Sequence, residues 1–387
     1  MRCACVAIVL TSALGAYGQE DGFASLFSDP QLSQWSRIGA DSWSYEDGVI
    51  HCSGQGSGWL RSVRAYEDFT LRLDFRIVEG GNSGVFVRVP LLGRQSATGM
   101  EIQLMGATVD PPDVSSCGAI YDCVAPTVDA TRPAGEWNEL EVRCIGPQVK
   151  TTLNGQVLYD VNLDACPADD AIPVGRRLRE RLRRGYIGLQ NHGNEVWFRS
   201  VRIRAEAEDG VASLLNGRDL TGWQTGAASG WKAEGPSLVH DGAEAALIEI
   251  AQPYRNYVLR YEFRFQPGAQ AGVHLRRTDA TSPIVISLAG GPDGALSPNS
   301  PGGLRGGGAP SQAALLPTGE WNDMEVTYEG CHVTVRLNAV KVFEGSVYEY
   351  SGYYRPPMEG HIAFEAGGHV ELRSIRVRSL PDSRGLA

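Results

Sequence analysis

The sequence predicts an all-β protein that consists of two tandem antiparallel β-sandwiches or jelly rolls. Its 387 residues exceed what one ordinary hydrophobic core accommodates and suit two domains. Four sequence blocks occur twice in the same order, which indicates two homologous domains and not a solenoid of short repeats. The 47 glycines and 21 prolines favour many short strands joined by turns over a bundle of helices.

The repeat is clearest in FTLRLDFRIVEGGNSGVFVR (69–88), which returns 188 positions later as YVLRYEFRFQPGAQAGVHLR (257–276). The polar segment AEAEDG (205–210) lies between the two series of blocks. We therefore predict a first domain at 22–206 and a second, degenerate domain at 209–380. The other three paired blocks are 23–35 with 211–223, 135–160 with 319–345, and 185–204 with 360–378.

Within the blocks, apolar and polar side chains alternate. Residues 69–77 and 257–265 both have period 2, which predicts strands with one face in a core and the other in water. Asn154-Gly155 is the pair that a type I′ hairpin favours, and the second copy has the less favourable Asn338-Ala339. The basic segment RRLRERLRRG (176–185) breaks the pattern, and we expect a solvated surface loop there rather than helical turns.

The N-terminus predicts export. Residues 1–19 combine Arg2, a short apolar stretch and the small-x-small sequence Ala16-Tyr17-Gly18, as a signal peptide does; the alternative is a buried N-terminal strand. We expect a periplasmic or extracellular protein. No later stretch approaches ~20 apolar residues, so we expect no membrane insertion of the mature chain.

Charge and cysteine content restrict the partners and the covalent structure. The formal net charge of −10 argues against nucleic acid or an anionic membrane as the main partner and leaves neutral ligands such as sugars open. Six cysteines follow residue 19, which permits disulfides in an exported protein. Cys117 and Cys123 are close enough in sequence to close a small loop, and Cys331 is expected to be a buried free thiol.

The candidate functional residues are the polar positions at which the two copies differ. Positions kept in both, such as Trp35/Trp223 and Arg88/Arg276, are more often structural. No nucleophile triad, phosphate loop or zinc motif lies in a suitable context. The polar residues present only in the first copy are Asn82, Ser83, Glu101, Gln103, Tyr121, Asp122, Gln190, Asn191 and His192.

Glu101 and Gln103 are two apart in a predicted strand and so point to the same face. A carboxylate or imidazole beside such a face can move a proton, and either can ligate a divalent cation. Glu101 and His192 are thus the candidates for catalysis or for a metal site. The alternative is that both are exposed polar residues and that the second copy drifted.

Five segments, GNSGVFVR, MEIQLMG, GAIYD, GEWNELEVRCIGPQVKTTLNGQVL and GYIGLQNHGNEVWFRSVRIR, together resemble the 3-keto-disaccharide hydrolase family, also known as domain of unknown function 1080. The resemblance covers about residues 22–206 and, more weakly, 209–380. It implies a concanavalin-like jelly-roll sandwich in exported proteins that process glycans.

The resemblance also implies a reaction on sugars already oxidised at C3. A base removes the C2 hydrogen, the C1 substituent leaves by β-elimination, and water adds to the unsaturated ketone. Glu101 and His192 then serve as acid, base or metal ligands. The residues implied as sugar contacts are Asn82, Arg88, Gln103, Tyr121 and Asp122.

One position departs from the family pattern, because Gly106 stands where an Asp usually closes the E-x-Q-x-x-D strand block. This departure bears on whether a divalent metal is bound. We therefore consider three hypotheses: an enzyme that cleaves 3-keto-glycosides through the first copy, a non-catalytic lectin-like protein, and a structural module of an exported complex.

Overall fold

The computed structural model describes residues 22–27, 29, 31–167, 173, 177–206, 210–226, 229–242, 244–278, 284–289, 295–350 and 356–381. The predicted signal peptide lies outside these residues. None of the helices in the described ranges is long and apolar enough to span a membrane.

The first copy is built from antiparallel strands with short turns between them. Short helices occur at α1 (Gln95–Thr98) and, as 3₁₀ turns, at Leu163–Ala165 and Leu178–Glu180. The strands are β1 (Ala24–Ser25), β2 (Trp35–Gly39), β3 (Trp43–Glu46), β4 (Val49–Cys52), β5 (Gly58–Tyr66), β6 (Phe69–Ile77), β7 (Asn82–Val89), β8 (Met100–Met105), β9 (Asn138–Ile145), β10 (Gln148–Leu153), β11 (Gln156–Asn162), β12 (Gly185–Asn191) and β13 (Val196–Ala205).

The second copy repeats this series and adds helix α2 (Val347–Tyr350). Its strands are β14 (Val211–Ser213), β15 (Trp223–Thr225), β16 (Trp231–Glu234), β17 (Ser237–His240), β18 (Ala246–Tyr254), β19 (Tyr257–Phe265), β20 (Gln270–Arg277), β21 (Val285–Ala289), β22 (Asn322–Glu329), β23 (His332–Leu337), β24 (Val340–Ser346), β25 (Gly360–Gly367) and β26 (Val370–Ser379).

Each copy forms two sheets with the same strand order. In the first copy an eight-stranded sheet runs β11-β10-β9-β6-β13-β4-β3 with β1 on β13, and a five-stranded sheet runs β2-β5-β12-β7-β8. In the second copy, read in the same direction, the larger sheet runs β24-β23-β22-β19-β26-β17-β16 with β14 on β26, and the smaller sheet runs β15-β18-β25-β20-β21. All the named pairings are antiparallel, and the predicted all-β fold of two tandem concanavalin-like jelly-roll sandwiches is confirmed.

Period-2 alternation positions each core between the two sheets of its copy. In β6, Phe69, Leu71, Leu73 and Phe75 are at most 1% exposed, and they pack against apolar residues of the five-stranded sheet. The kept tryptophans are structural: the indole N–H groups of Trp35 and Trp223 donate to backbone carbonyls nine residues earlier, at 2.7 and 2.8 Å.

Turn chemistry follows the sequence. Asn154 and Gly155 both have positive φ, 48° and 82°, as the predicted hairpin turn requires. Asn338 and Ala339 adopt the same conformation, with φ of 52° and 63°, although alanine disfavours it.

The basic segment differs from the expected solvated loop. Leu178 is buried, and the guanidinium of Arg181, also buried, donates to the carbonyls of Ser96 and Gly99. Because Arg181 has these backbone acceptors and a long aliphatic stem, it braces the chain that leads into β8.

Within the described residues, no disulfide joins Cys117 to Cys123, so the small loop expected between them is not closed. Cys117 is buried whereas Cys123 is half-buried. Cys331, expected to be buried, is also half-buried.

The two copies pack against each other. Arg184 of the first copy forms an ion pair with Asp323 of the second, and both side chains are largely buried. The Tyr186 hydroxyl donates to Asn338 Oδ1 at 2.7 Å, and the Leu91 amide donates to the Asn338 carbonyl at 3.0 Å. The outer surface of the second eight-stranded sheet therefore contacts one end of the first five-stranded sheet.

Candidate functional site

The five-stranded sheet of the first copy has one apolar face and one mixed face. Val85 on β7 and Ile102 on β8 turn inward to the core. Residues opposite one another share a face, and the register pairs Phe86 with Glu101 and Gly84 with Gln103. Alternation thus places the Glu101 and Gln103 side chains together on the outer face.

Glu101 is a buried carboxyl group on this face, with only 5% of its surface exposed. Burial raises its pKa to about 7, because desolvation penalises the charged form. A hydrogen bond from the Gln190 amide and the positive charge of Arg94 act in the opposite direction. Near neutral pH this group therefore exchanges a proton readily.

Two glutamine side chains flank Glu101 and each leaves an acceptor unused. The Gln103 amide donates to Asn82 Oδ1 at 3.2 Å. Gln103 Oε1 and Gln190 Oε1 are buried and have no hydrogen-bond partner in the part of the chain that the structure describes. Since buried polar atoms are normally hydrogen-bonded, these two oxygens are suited to accept hydrogen bonds from a ligand such as a sugar.

Tyr121 is positioned beside Glu101 by a backbone hydrogen bond. Its amide donates to the Glu101 carbonyl at 2.9 Å, and Ile120 bridges Ile102, so residues 120–121 extend the sheet beyond β8. Tyr121 lies opposite Glu101 and hence on the same face, and it is half-buried. Asp122 follows with φ of 62° in the turn that ends this extension.

His192 follows β12 directly and is exposed. Its neighbour Asn191 faces the other way, with its amide donating to Ser42 Oγ at 2.7 Å and to the Gln55 carbonyl at 2.9 Å. The β12 residue that reaches Glu101 is Gln190, which hydrogen-bonds to its carboxyl group. Gln190 can be identified from the sequence, because alternation along β12 places its side chain on the outer face with Glu101.

Arg88 is not brought to this face. It is fully buried, has φ of 53°, and donates to the carbonyls of Glu67 and Gly146 at 2.7–2.9 Å. Its counterpart Arg276 donates to Arg255 and Gly330 carbonyls in the same way. Arg88 therefore ties loops together, and its implied role as a sugar contact finds no support in its position.

Two glycines leave space for side chains on the outer face of this sheet. A Cβ on Gly84 would lie 2.6 Å from Glu101 Oε1, so the carboxyl group rests over bare backbone. A Cβ on Gly188 would lie 2.3 Å from the Trp59 ring. Trp59 meets Phe86 edge to face, with centroids 5.6 Å apart, and this pair forms an aromatic wall beside Glu101.

A divalent metal does not fit this group of side chains. A metal ligand must be ionised, and burial raises the pKa of Glu101 to about 7, so a metal would compete with a proton for this carboxyl group. At the family's usual Asp position, a Cβ on Gly106 would lie 1.9 Å from the Val78 carbonyl oxygen. Within the described ranges, no cluster of three or more His, Cys, Asp or Glu residues could hold a metal ion.

The equivalent face of the second copy carries different chemistry. Arg305 is the counterpart of Tyr121, since its amide donates to the Val285 carbonyl at 2.9 Å. Its guanidinium lies over Gly272, where an added Cβ would meet Nη2 at 2.8 Å. Arg305 thus fills the space that the Glu101 carboxyl group fills in the first copy.

The Arg305 guanidinium pairs with Glu365, the counterpart of Gln190, and His274 Nε2 lies 2.8 Å from the same carboxylate. Hydrogen bonds from His274 and Arg305 lower the pKa of Glu365 to about 2. The expectation that the second copy merely lost its polar residues is therefore incomplete. It replaced them with a locked ion pair.

The chain is similar to several known proteins. A 3-keto-disaccharide hydrolase of Bacteroides thetaiotaomicron is 21% identical over 228 residues, covering 48% of this chain and 78% of that protein. Two solved putative glycosyl hydrolases of Parabacteroides distasonis each align with 48% of this chain and with 99% and 95% of their own. Their identities are 26% and 24%, and their TM-scores are 0.41 and 0.42.

The model of the 3-keto-alpha-glucoside-1,2-lyase-like domain matches residues 22–204 and again residues 210–378. The two matches coincide with the two sandwiches and together span most of the chain. The chain belongs to the 3-keto-alpha-glucoside-1,2-lyase-like (3-keto-disaccharide hydrolase) family, with two tandem copies of its domain.

Proposed function

We propose that the first copy cleaves the glycosidic bond of 3-keto-glycosides or 3-keto-disaccharides, with Glu101 as the base. The observation that carries this proposal is the buried carboxyl group with a pKa of about 7, on a face that also offers unpaired sugar-binding acceptors. A base with this pKa is poised for proton transfer at neutral pH. We place the activity outside the cytoplasm because residues 1–19 predict export.

The first step removes the C2 proton. The C3 ketone acidifies that hydrogen, Glu101 takes the proton, and the electron pair becomes an enolate with its charge on the C3 oxygen. The positive charge of Arg94, near enough to affect Glu101, also favours this developing anion. Asn82 and Gln103 hold the sugar hydroxyls.

The second step expels the C1 substituent. The enolate electrons form the C1–C2 double bond, the C1–O bond breaks, and the leaving oxygen takes a proton, for which exposed His192 is the candidate donor. Water then adds its oxygen to C1 and a proton to C2. The net result is hydrolysis without the paired carboxylates of an ordinary glycosidase.

The alternative is a non-catalytic glycan-binding protein. The unpaired oxygens of Gln103 and Gln190 support it, because they bind hydroxyl groups whether or not chemistry follows. The two proposals differ in what Glu101 does: an enzyme needs its proton transfer, and a lectin does not.

A turnover assay with 3-keto-trehalose and a chromogenic 3-keto-glucoside separates them. We expect Glu101→Gln to lose about 10²–10⁴-fold in rate. His192→Ala should slow 3-keto-trehalose more than the chromogenic substrate, whose aglycone leaves without a proton. Exposed Glu139→Gln serves as the control and should match the wild type.

Solvent deuterium at C2 of the product would support elimination. Sugar binding without release of the aglycone, or full activity in Glu101→Gln, would favour the lectin and refute the assignment of the base.

A further inference from the structure

A cleft of ≈ 850 Å³ opens between the two copies. Its volume lies within the roughly 300–1,000 Å³ that small-molecule sites occupy. The first copy contributes β2 and β5, and the second contributes the outer surface of its eight-stranded sheet. The side chains on which the argument depends are Ser36, Arg61, Arg64, Arg264, Glu320 and Arg373.

The cleft is positively charged although the chain is acidic. Arg264 pairs with Glu371, with two contacts of 2.8 Å. Arg64 and Arg373 share the single carboxylate of Glu262, at 3.4 and 2.6 Å.

Four guanidinium groups, with Arg61 the fourth, thus face three carboxylates once Glu320 in the wall is included. One positive charge remains uncompensated.

Arg61 is the most deeply buried of the four guanidinium groups, and the negative charge of Glu320 acts on it. It is 1% exposed, and its guanidinium lies 4.8 Å from the centre of the Tyr186 ring. Nη2 donates to Ser36 Oγ at 3.1 Å, while Nε and Nη1 have no hydrogen-bond partner among the described residues. A buried cation with unmade hydrogen bonds is costly, and an anionic ligand offsets that cost.

We propose that this cleft binds the carboxylate of a sugar acid, with Arg61 as its anchor. A carboxylate supplies the one negative charge that the cleft lacks, and guanidinium N–H groups match its geometry. The Ser36 hydroxyl, whose oxygen accepts from Arg61, can donate to a sugar oxygen. The choice of a sugar rests on the proposed carbohydrate function; the choice of a monoanion rests on the charges alone.

The cleft is distinct from the Glu101 site but lies on the same sheet face. One row of the register runs Ser36, Arg61, Gly188, Phe86 and Glu101. Arg61 and Glu101 are three strands apart, roughly 14 Å at about 4.8 Å per strand. The Trp59 ring over Gly188 separates the two sites.

Isothermal titration with glucuronate, glucose and inorganic sulfate tests the proposal. We expect the wild type to bind glucuronate, and Arg61→Met to lose at least ten-fold in affinity. Arg61→Met should also melt no lower than the wild type, because it removes an unpaired buried charge. Arg199→Gln removes the first-copy counterpart of Arg373 outside the cleft and should bind like the wild type.

Unchanged glucuronate affinity in Arg61→Met, or no binding by the wild type, would overturn the proposal. Sulfate binding as tightly as glucuronate would overturn the sugar-acid assignment. If Arg61→Met does not fold, Arg61→Lys takes its place, and we expect at least a five-fold loss. The Glu101→Gln protein should bind glucuronate with wild-type affinity. A failure of the proposed elimination would therefore not change the interpretation of the glucuronate titration.

Discussion

At the residue scale, the outer faces of the two five-stranded sheets each hold a carboxyl group, at different positions and in opposite electrostatic settings. Burial raises the pKa of Glu101 to about 7, with Gln190 as its hydrogen-bond donor. Hydrogen bonds and charge lower the pKa of Glu365 to about 2. A carboxylate locked by Arg305 and His274 is a permanent anion near neutral pH and cannot serve as a proton carrier. This contrast, more than the loss of polar residues, is our reason for proposing proton transfer in the first copy.

The raised pKa of Glu101 predicts a pH-dependent cost to stability. The folded state holds the proton up to about pH 7, whereas the unfolded chain releases it near 4.5, so this group's contribution falls as pH rises between those values. Relative to Glu101→Gln, the wild type should lose roughly 2–3 kcal/mol of unfolding free energy between pH 5 and pH 8. Urea unfolding of both proteins at each pH measures this.

A constant difference between the two proteins across that range would show that Glu101 is not desolvated. Glu139→Gln, at an exposed position, should give such a constant difference.

At the element scale, local pattern predicts the strands and the turns but not every role within them. The alternation in 69–77 corresponds to β6, and Asn154-Gly155 forms its predicted hairpin turn. Both depend on neighbouring residues alone. Arg88 could not be assigned in this way, because its acceptors lie 21 and 58 residues away.

Only part of the candidate site could be predicted from the sequence, because the local pattern does not show long-range partners. Glu101 and Gln103 share a strand, so period 2 puts them together. The donor to Glu101 comes from β12, and Arg94 acts on it from the chain before α1. These partners meet only through strand pairing and tertiary packing, which the linear pattern does not contain.

Gly84 leaves room for the Glu101 carboxyl group, and its second-copy counterpart, Gly272, provides a matched control. A methyl group in Gly84→Ala would meet the Glu101 carboxyl at 2.6 Å and displace it. We expect at least a ten-fold loss of turnover of a 3-keto-glycoside in a folded protein. Gly272→Ala meets Arg305 instead and should leave turnover unchanged. Equal effects from both substitutions would remove the case for a first-copy site.

At the scale of the whole molecule, the basic segment before β12 links the two sandwiches. Its composition suggested a solvated loop, but Arg181 holds the chain before β8 and Arg184 pairs with Asp323 of the second copy. The second copy thus contacts the same segment that supports the Glu101 strand. We therefore propose that the second copy is a fixed partner of the first sandwich.

The Arg184–Asp323 pair predicts coupled unfolding of the two sandwiches. Both side chains are at most 13% exposed, so Arg184→Ala leaves an uncompensated buried carboxylate and should cost about 3–5 kcal/mol. We expect the single calorimetric transition of the wild type to divide into two as the sandwiches separate. Arg183→Ala removes a neighbouring pair with Asp164 that is more exposed and should cost at most about 1 kcal/mol. A single unshifted transition in Arg184→Ala would mean that other contacts hold the copies together, and the fixed-partner role would then have to rest on Tyr186 and Asn338.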